Sequence, residues 1–367
     1  MRGAATAAAA AMVRLAVGVR AFSTSAPGAG GAGGGVSMVQ GASRGIGLEF
    51  VRQLLRRSEQ GRVVATCRAP DSAPELLKLK EEHAPGRLTV LPLDVTDEST
   101  IEAAAATIGE THGSLDLLIN ASGILSIPNV LQPETTLSKV QKSSLLLAYE
   151  VNAVGPILVV KHMRPLLKVG GRSETGRGFS LVANMSARVS SIGDNGLGGW
   201  HSYRASKTAL NQLTKTISVE FGRKDNIACI LLHPGTVDTD LSRPFQRNVP
   251  KGKLFTREYS VQKLLSVIDN AKKSDNGKFF AWDGQEIPWC PDGMIGDGYA
   301  AGDGCHYDGP PSRSQRRNLP AVAAGVCSAL LLSIGLAVWF LLWRQKQKNS
   351  AITANTTSKG APIPVDD

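Results

Sequence analysis

Several things are missing from this 367-residue chain, and each absence narrows what it can be. It has five cysteines but no paired Cys-x-x-Cys, no His-Glu-x-x-His and no other run with metal-ligand spacing, so no metal site is expected. Aromatic residues make up only 5% of the chain, and no basic stripe is interleaved with them. The net charge of +10 is therefore not the footprint of a nucleic-acid binder. The first 35 residues contain Arg2, Arg14 and Arg20 but no acid. Finally, no aspartate or glutamate closes the stretch Arg62 to Thr66, which ends in Cys67 and Arg68 instead.

That last absence gains meaning from what stands upstream. Val36 to Val39 reads as a buried parallel strand, followed by Gly41, Gly45 and Gly47 in a Gly-x3-Gly-x-Gly turn that also holds Ser43, Arg44 and Ile46. Glycines let the backbone approach a pyrophosphate, and the helix that follows offers free N–H groups to it. That helix runs through Leu48, Phe50, Val51, Leu54 and Leu55, with Arg52, Arg56 and Arg57 on its other side. An NAD site would carry an acidic residue at the end of the second strand. Here Arg68 stands there and Arg44 lies in the glycine loop, which suits the 2′-phosphate of NADP(H). The plainer alternative is that both arginines are solvated surface charges.

Farther along, Tyr203 and Lys207 share one face of a helical stretch from Ser202 to Phe221. A phenol with a reference pKa of about 10 is a weak acid or base at neutral pH. A neighbouring ammonium is expected to favour the phenolate and bring the group into range. The chain also contains Leu93-Asp94-Val95, Asn120-Ala121-Ser122-Gly123, Val151-Asn152-Ala153-Val154-Gly155 and the run His233 to Thr239. Together with the glycine loop and Tyr203/Lys207, these motifs resemble the short-chain dehydrogenase/reductase family from Val36 to about Trp289. Asn184 to Arg188, Gly198 to Arg204 and Phe280 to Trp289 are most similar to its C-factor/sniffer-like carbonyl reductase branch.

The resemblance implies roles for matching positions. Asp94 and Val95 would lie against the adenine, and Asn120, Ala121 and Gly123 would line the cofactor cleft. Asn152, within a long helix from Leu145 to Leu167, would order a water linking Lys207 to solvent. Pro234, Gly235, Thr236 and Val237 would contact the nicotinamide end, with Thr239 near the phosphates. Tyr203 would be the proton donor and Lys207 would also hold the nicotinamide ribose. Taken singly, Asp94 and Pro234-Gly235 also suit plain turns and Asn152 an ordinary polar helix position.

One departure stands out. The family places a substrate-orienting serine second in a Ser-Ser pair after the fifth strand, and this chain has Ser186 followed by Ala187. Ser186 should point to the opposite face, although it remains the candidate catalytic serine, with Ser190 or Ser191 as substitutes. Losing a donor that polarises a carbonyl costs about 10²–10³ in turnover. Two readings therefore stand side by side. One is an NADP(H)-dependent reductase of an aldehyde, ketone or quinone; the other is an NADP(H)-binding sensor or interaction module with little catalysis.

The order of elements implies an α/β fold, a doubly wound parallel Rossmann sheet. Strands are expected at 36–39, 62–66, 88–93, 115–120, 179–184, 227–232 and 278–282. Helices are expected at 48–57, 75–83, 99–107, 145–167, 203–221 and 261–271. Leu241 to Thr256 is where the family closes over substrate. Its Arg243, Arg247, Lys251 and Lys253 suit a polar or anionic substrate, or simply a solvated loop.

Outside 36–289 the composition changes. Residues 1–35 read as a transit-peptide-like lead, mitochondrial or plastid, with a glycine-rich linker. Ala321 to Trp343 is uncharged and long enough for a single transmembrane helix, entered at Pro320 and bordered by Trp339 and Trp343. Flanking arginines and lysines on both sides leave its orientation open. Residues 290–319, with Cys290 and Cys305, resemble an EGF-like fragment beside the membrane span of a plant wall-associated receptor kinase; a polar tail, 344–367, follows. As written, the chain reads as a single-pass membrane protein, and the reductase segment alone as organellar or cytoplasmic. The juxtaposition suggests a chimera of a complete reductase with a receptor exon. A small-molecule carbonyl compound is the expected partner, and a homo-oligomer is compatible with the reading.

Overall fold

The computed structural model describes residues 34–171 and 177–289. The lead before Gly34, the EGF-like fragment, the expected membrane span and the polar tail lie outside the described residues. Within them the chain alternates β1 (Val36–Gln40), α1 (Gly45–Arg57), β2 (Arg62–Cys67), α2 (Pro74–Glu81), β3 (Leu88–Pro92), α3 (Glu98–His112) and β4 (Leu117–Asn120). It continues through α4 (Lys142–Tyr149), α5 (Gly155–Val169), β5 (Ser180–Met185), α6 (His201–Lys224) and β6 (Ile227–His233). Two short strands, β7 (Thr236–Val237) and β8 (Leu254–Phe255), precede α7 (Arg257–Asn270) and β9 (Phe279–Ala281).

Seven strands form one parallel sheet in the order β3-β2-β1-β4-β5-β6-β9. This is the doubly wound arrangement expected from the alternation of elements. Helices cover both faces, so successive strand residues are buried in opposite directions. On β1, Val39 packs with Leu48, Phe50 and Val51 of α1, while Met38 joins Ile101, Ile108 and Val159 on the opposite face. Burial on both sides explains why these strands read as continuous apolar runs rather than as alternating patterns. The strand order reverses between β1 and β4, which opens a crevice at their C-terminal ends.

Two findings differ from the sequence expectation. The single helix predicted over 145–167 spans 142–169, but a π-helical turn, Glu150–Val154, interrupts it. Asn152 sits in that turn, fully buried. The stretch Lys142–Val169 is long and apolar enough to cross a membrane. Here its Val159, Val160, Met163 and Leu167 pack into the sheet as a core helix. The second difference is that the loop over 241–256 contains a short 3₁₀ helix, Arg243–Asn248, and that β8 pairs in parallel with β7.

Asp116, buried beside β4, ties the crossovers to the sheet. One carboxylate oxygen accepts from Val36 N at 2.8 Å and the other from Gly171 N at 2.6 Å, joining the start of β1 to the turn after α5. Each buried N–H left without its acceptor costs about 1–3 kcal/mol. Asp116→Ala is therefore expected to lower the unfolding free energy by about 3 kcal/mol in urea titration; a loss under about 0.5 kcal/mol would show that these bonds are replaced.

Candidate active site

The crevice is a cleft of about 1270 Å³ floored by the ends of β1, β4, β5 and β6. Gly41 opens the glycine loop at φ +83° and donates its N–H to the Thr66 carbonyl at 2.9 Å, which anchors the loop to β2. A Cβ on Gly47 would lie 2.1 Å from the Gly41 carbonyl oxygen, so only glycine lets α1 start this close to its own turn. Ser43, Arg44, Gly45 and Ile46 line the same end of the cleft. Arg68 faces them, and a recess of about 330 Å³ lies between, bordered by Ser43, Arg44, Arg68 and Ser72. No carboxylate closes β2. Arg44 lies 3.5 Å from Asp240, which also pairs with Arg243 at 2.8 Å, and all three side chains are exposed.

Asp94, Val95, Ala121, Gly123, Pro234, Gly235, Val237 and Thr239 line the cleft wall together, as does Thr236. Asn120 does not. Its side chain is buried beneath the wall, where Nδ2 donates to Asn184 Oδ1 at 2.8 Å, and Asn184 in turn donates to Thr214 Oγ1 at 2.8 Å. The expectation that Asn120 faces the cofactor is thus corrected: it braces β4 against β5 and α6. Asn152 also stands behind the wall. Its Oδ1 accepts from Ile124 N at 2.7 Å, while Nδ2 donates to Ile124 O at 2.8 Å and Ser206 Oγ at 3.0 Å. Those side-chain bonds go to protein groups, and they fasten the segment after β4 to α6.

Tyr203 and Lys207 both line the cleft from the first turns of α6. Lys207 is 3% exposed and donates to the Met185 carbonyl at 2.8 Å. Burial pushes the Tyr203 phenol up to about 12 and the Lys207 ammonium down to about 8. The lowering of the phenol anticipated from the neighbouring ammonium is absent, because desolvation disfavours both charged forms and dominates here. Lys207 then binds fewer protons in the folded protein than in the unfolded chain between pH 8 and 10.5, so its contribution to stability rises with pH across that window, while the raised Tyr203 phenol acts in the opposite sense above about pH 10.

Ser186 contributes to the cleft wall, but its hydroxyl is turned away from it. Oγ donates to Asn211 Oδ1 at 2.6 Å and lies 3.2 Å from Ser190 Oγ. Ser190 donates to the Ala187 carbonyl at 2.6 Å, and Ser191 donates to the Pro288 carbonyl at 3.0 Å. The serines next to Ala187 are therefore committed to protein partners, and the side chain facing the cleft at that point is the Ala187 methyl.

Sequence reasoning missed several members of the wall. His233 ends β6 inside the cleft, and burial, then Arg188, hold its imidazole down at about 4, so it is neutral near pH 7. Arg188 and Lys253 line the cleft with no hydrogen bond or ion pair to their side chains among the described residues. Trp200 stands at φ +51° and packs against Tyr203 and Phe245, with ring centroids 6.2 and 5.0 Å apart. The tandem Gly198-Gly199 before it was the available signal, since both take positive φ and lead the chain into that turn.

Comparison with known proteins places this geometry. The short chain dehydrogenase family model matches residues 36–250. An NADPH-bound carbonyl reductase from chicken fatty liver superposes with a TM-score of 0.60 at 34% identity, over 69% of this chain and 98% of its own. The carbonyl reductase Sniffer of D. melanogaster gives 0.61 at 28% identity, over 69% and 98%. The 1-hydroxy-2-glutathionyl-2-methyl-3-butene dehydrogenase of Rhodococcus sp. (strain AD45) is 32% identical over 253 residues, 69% of this chain and 98% of that protein. The seven-stranded parallel sheet, the glycine-lined crevice and these matches agree that the chain belongs to the short chain dehydrogenase family.

Proposed function

We propose that the chain is an NADP(H)-dependent reductase of carbonyl compounds. The observation that carries this reading is the meeting, in one cleft, of the glycine loop, the Arg44/Arg68 recess and the Tyr203–Lys207 pair. The residues fit the cofactor. The loop brings backbone close to where a pyrophosphate would lie, and the two guanidinium groups with Ser43 suit a phosphate rather than a bare ribose hydroxyl. These residues would hold a reduced nicotinamide dinucleotide, whose chemistry there would be hydride donation to a carbonyl carbon. Tyr203, with its phenol near 12, stays protonated at physiological pH and donates to the developing alkoxide. At that pH almost none of it is present as the phenolate that the reverse oxidation would need as its base. Lys207 offers its charge to the phenolate left behind, and Asn152 keeps Ile124 and α6 in register around both.

The substrate half of the cleft combines apolar walls, including Leu125, Val189, Leu197, Trp200 and Phe245, with the unpaired cations Arg188 and Lys253. Of the four cations anticipated in the 241–256 loop, Arg243 and Lys253 line the cleft and Arg247 and Lys251 do not. A bulky apolar carbonyl compound with an anionic group fits this distribution; the Rhodococcus relative named above is a dehydrogenase of a glutathionyl compound. The second reading, an NADP(H)-binding module with little turnover, is favoured by one observation: Ala187 faces the cleft while its neighbouring serines are bonded elsewhere.

The full chain, assayed with aromatic aldehydes, ketones and quinones as free acids and as matched esters, is expected to oxidise NADPH in preference to NADH and to favour the acids. Tyr203→Phe should abolish that turnover, and activity surviving in this variant would refute the proton-donor role. Ala187→Ser adds a hydroxyl toward the cleft and is expected to raise kcat by up to about 10². If kcat does not change while the natural protein turns over briskly, the weak-catalysis reading fails. Lys207→Met removes a buried charge whose depressed pKa corresponds to about 3 kcal/mol at neutral pH. It should raise the melting temperature of the cofactor-free protein at pH 7, much less at pH 10.5, while eliminating reduction. A melting temperature that falls at pH 7 would contradict the assigned burial cost.

A further inference from the structure

One buried carboxylate takes no part in the chemistry described above. Glu134, in the loop between β4 and α4, is 3% exposed. It reaches a helix 68 residues away in sequence, where Oε2 accepts from Ser202 N at 3.2 Å and Oε1 accepts from the Ser202 hydroxyl. Its backbone carbonyl accepts from Trp200 N at 2.6 Å. All three donors belong to the start of α6, immediately before Tyr203. The first N–H groups of a helix have no partners within it, and a side-chain oxygen at the capping position ordinarily supplies one. The capping residue here is Trp200, which has no such oxygen and adopts φ +51°, ψ +44°, a strained conformation for a residue other than glycine. Glu134 supplies the missing acceptors from outside and places its negative charge at the positive end of the helix dipole.

We propose that Glu134 is a positioning residue for Tyr203: it clamps Trp200 and Ser202 so that phenol and indole both face the carbonyl to be reduced. The rest of α6 is held by other contacts. Lys207 bonds to Met185, Asn211 to Ser190 and Asn184 to Thr214, and Leu210 and Phe221 are buried. Loss of the clamp therefore loosens the first turn, which holds Tyr203, sets Trp200 against Phe245 and keeps the Arg204 bonds to the Val189, Gly198 and Gly199 carbonyls, without freeing the 24-residue helix. The cofactor end lies on other elements and keeps its geometry.

This inference rests on the reductase reading, and the test separates the two. In the full chain, Glu134→Ala is expected to lower kcat about ten- to a hundredfold, the scale of a misplaced reacting group, with the NADPH dissociation constant changed less than about twofold, well short of the tenfold that 1.4 kcal/mol represents. Glu134→Gln should restore most of kcat, because the Ser202 hydroxyl can accept from the amide while its N–H donates to the amide oxygen. Ser202→Ala, which deletes only the hydroxyl, should give an intermediate loss and covers the case in which Glu134→Ala does not fold. The Trp200 emission, isolated by difference against Trp200→Phe, should shift to longer wavelength in Glu134→Ala, and this readout needs no turnover. Unchanged kcat and emission would overturn the proposal. So would a parallel fall in kcat, NADPH binding and melting temperature without rescue by glutamine, the signature of a cap that only stabilises. A natural protein that reduces nothing would instead count against the reductase reading, and the emission shift alone would then decide the clamp.

Discussion

A lysine ammonium buried at the end of a parallel sheet is the constraint around which this site is built. Lys207 is almost wholly removed from solvent, and burial depresses its pKa to about 8, so the charged form is held at a cost near neutral pH. The surroundings limit that cost. The end of β5 offers the Met185 carbonyl as an acceptor. Gly123 makes room, since a Cβ there would stand 3.3 Å from Lys207 Nζ and 3.2 Å from Asn152 Oδ1. The π-helical turn between α4 and α5 brings Asn152 to the same point. Such local departures from regular helix often accompany functional sites.

The polar groups beneath the cleft form a second layer that sets which side chains remain available. Asn120, Asn184 and Thr214 bond in series across β4, β5 and α6. Ser186, Ser190 and Asn211 form a closed cluster a few residues away. Both satisfy groups that would be costly to leave unpaired. The second cluster also explains why a serine adjacent to Ala187 is no replacement for one at Ala187. Its hydroxyl is already bonded, and turning it toward the substrate would strand the Asn211 amide oxygen.

How much of this was legible in the sequence depended on how local the determining physics was. The seven sheet strands and six helical stretches were readable because a strand buried on both faces is a continuous apolar run and a covering helix repeats its apolar positions every turn. The glycine loop was readable because positive φ and close backbone approach restrict the residue type at Gly41 and Gly47. The missing acid after β2 and the missing serine at Ala187 were also plain, since a motif states which position should hold what. The π-helical turn was not readable: Glu150 to Val154 carries no residue that signals it.

The sequence by itself determined the fold class, the place of the dinucleotide crevice, and the Tyr203–Lys207 pair on one helical face, because each follows from spacing along the chain. Tertiary structure alone decided which way the side chains act. Asn120 turned inward because Asn184 lay opposite it across the sheet register. The Tyr203 phenol rose rather than fell because of burial, a property of the packed whole. The Glu134–Ser202 contact joins residues 68 apart, beyond the reach of any local pattern. Spacing is written into the chain, whereas desolvation and pairing exist only once distant segments have come together.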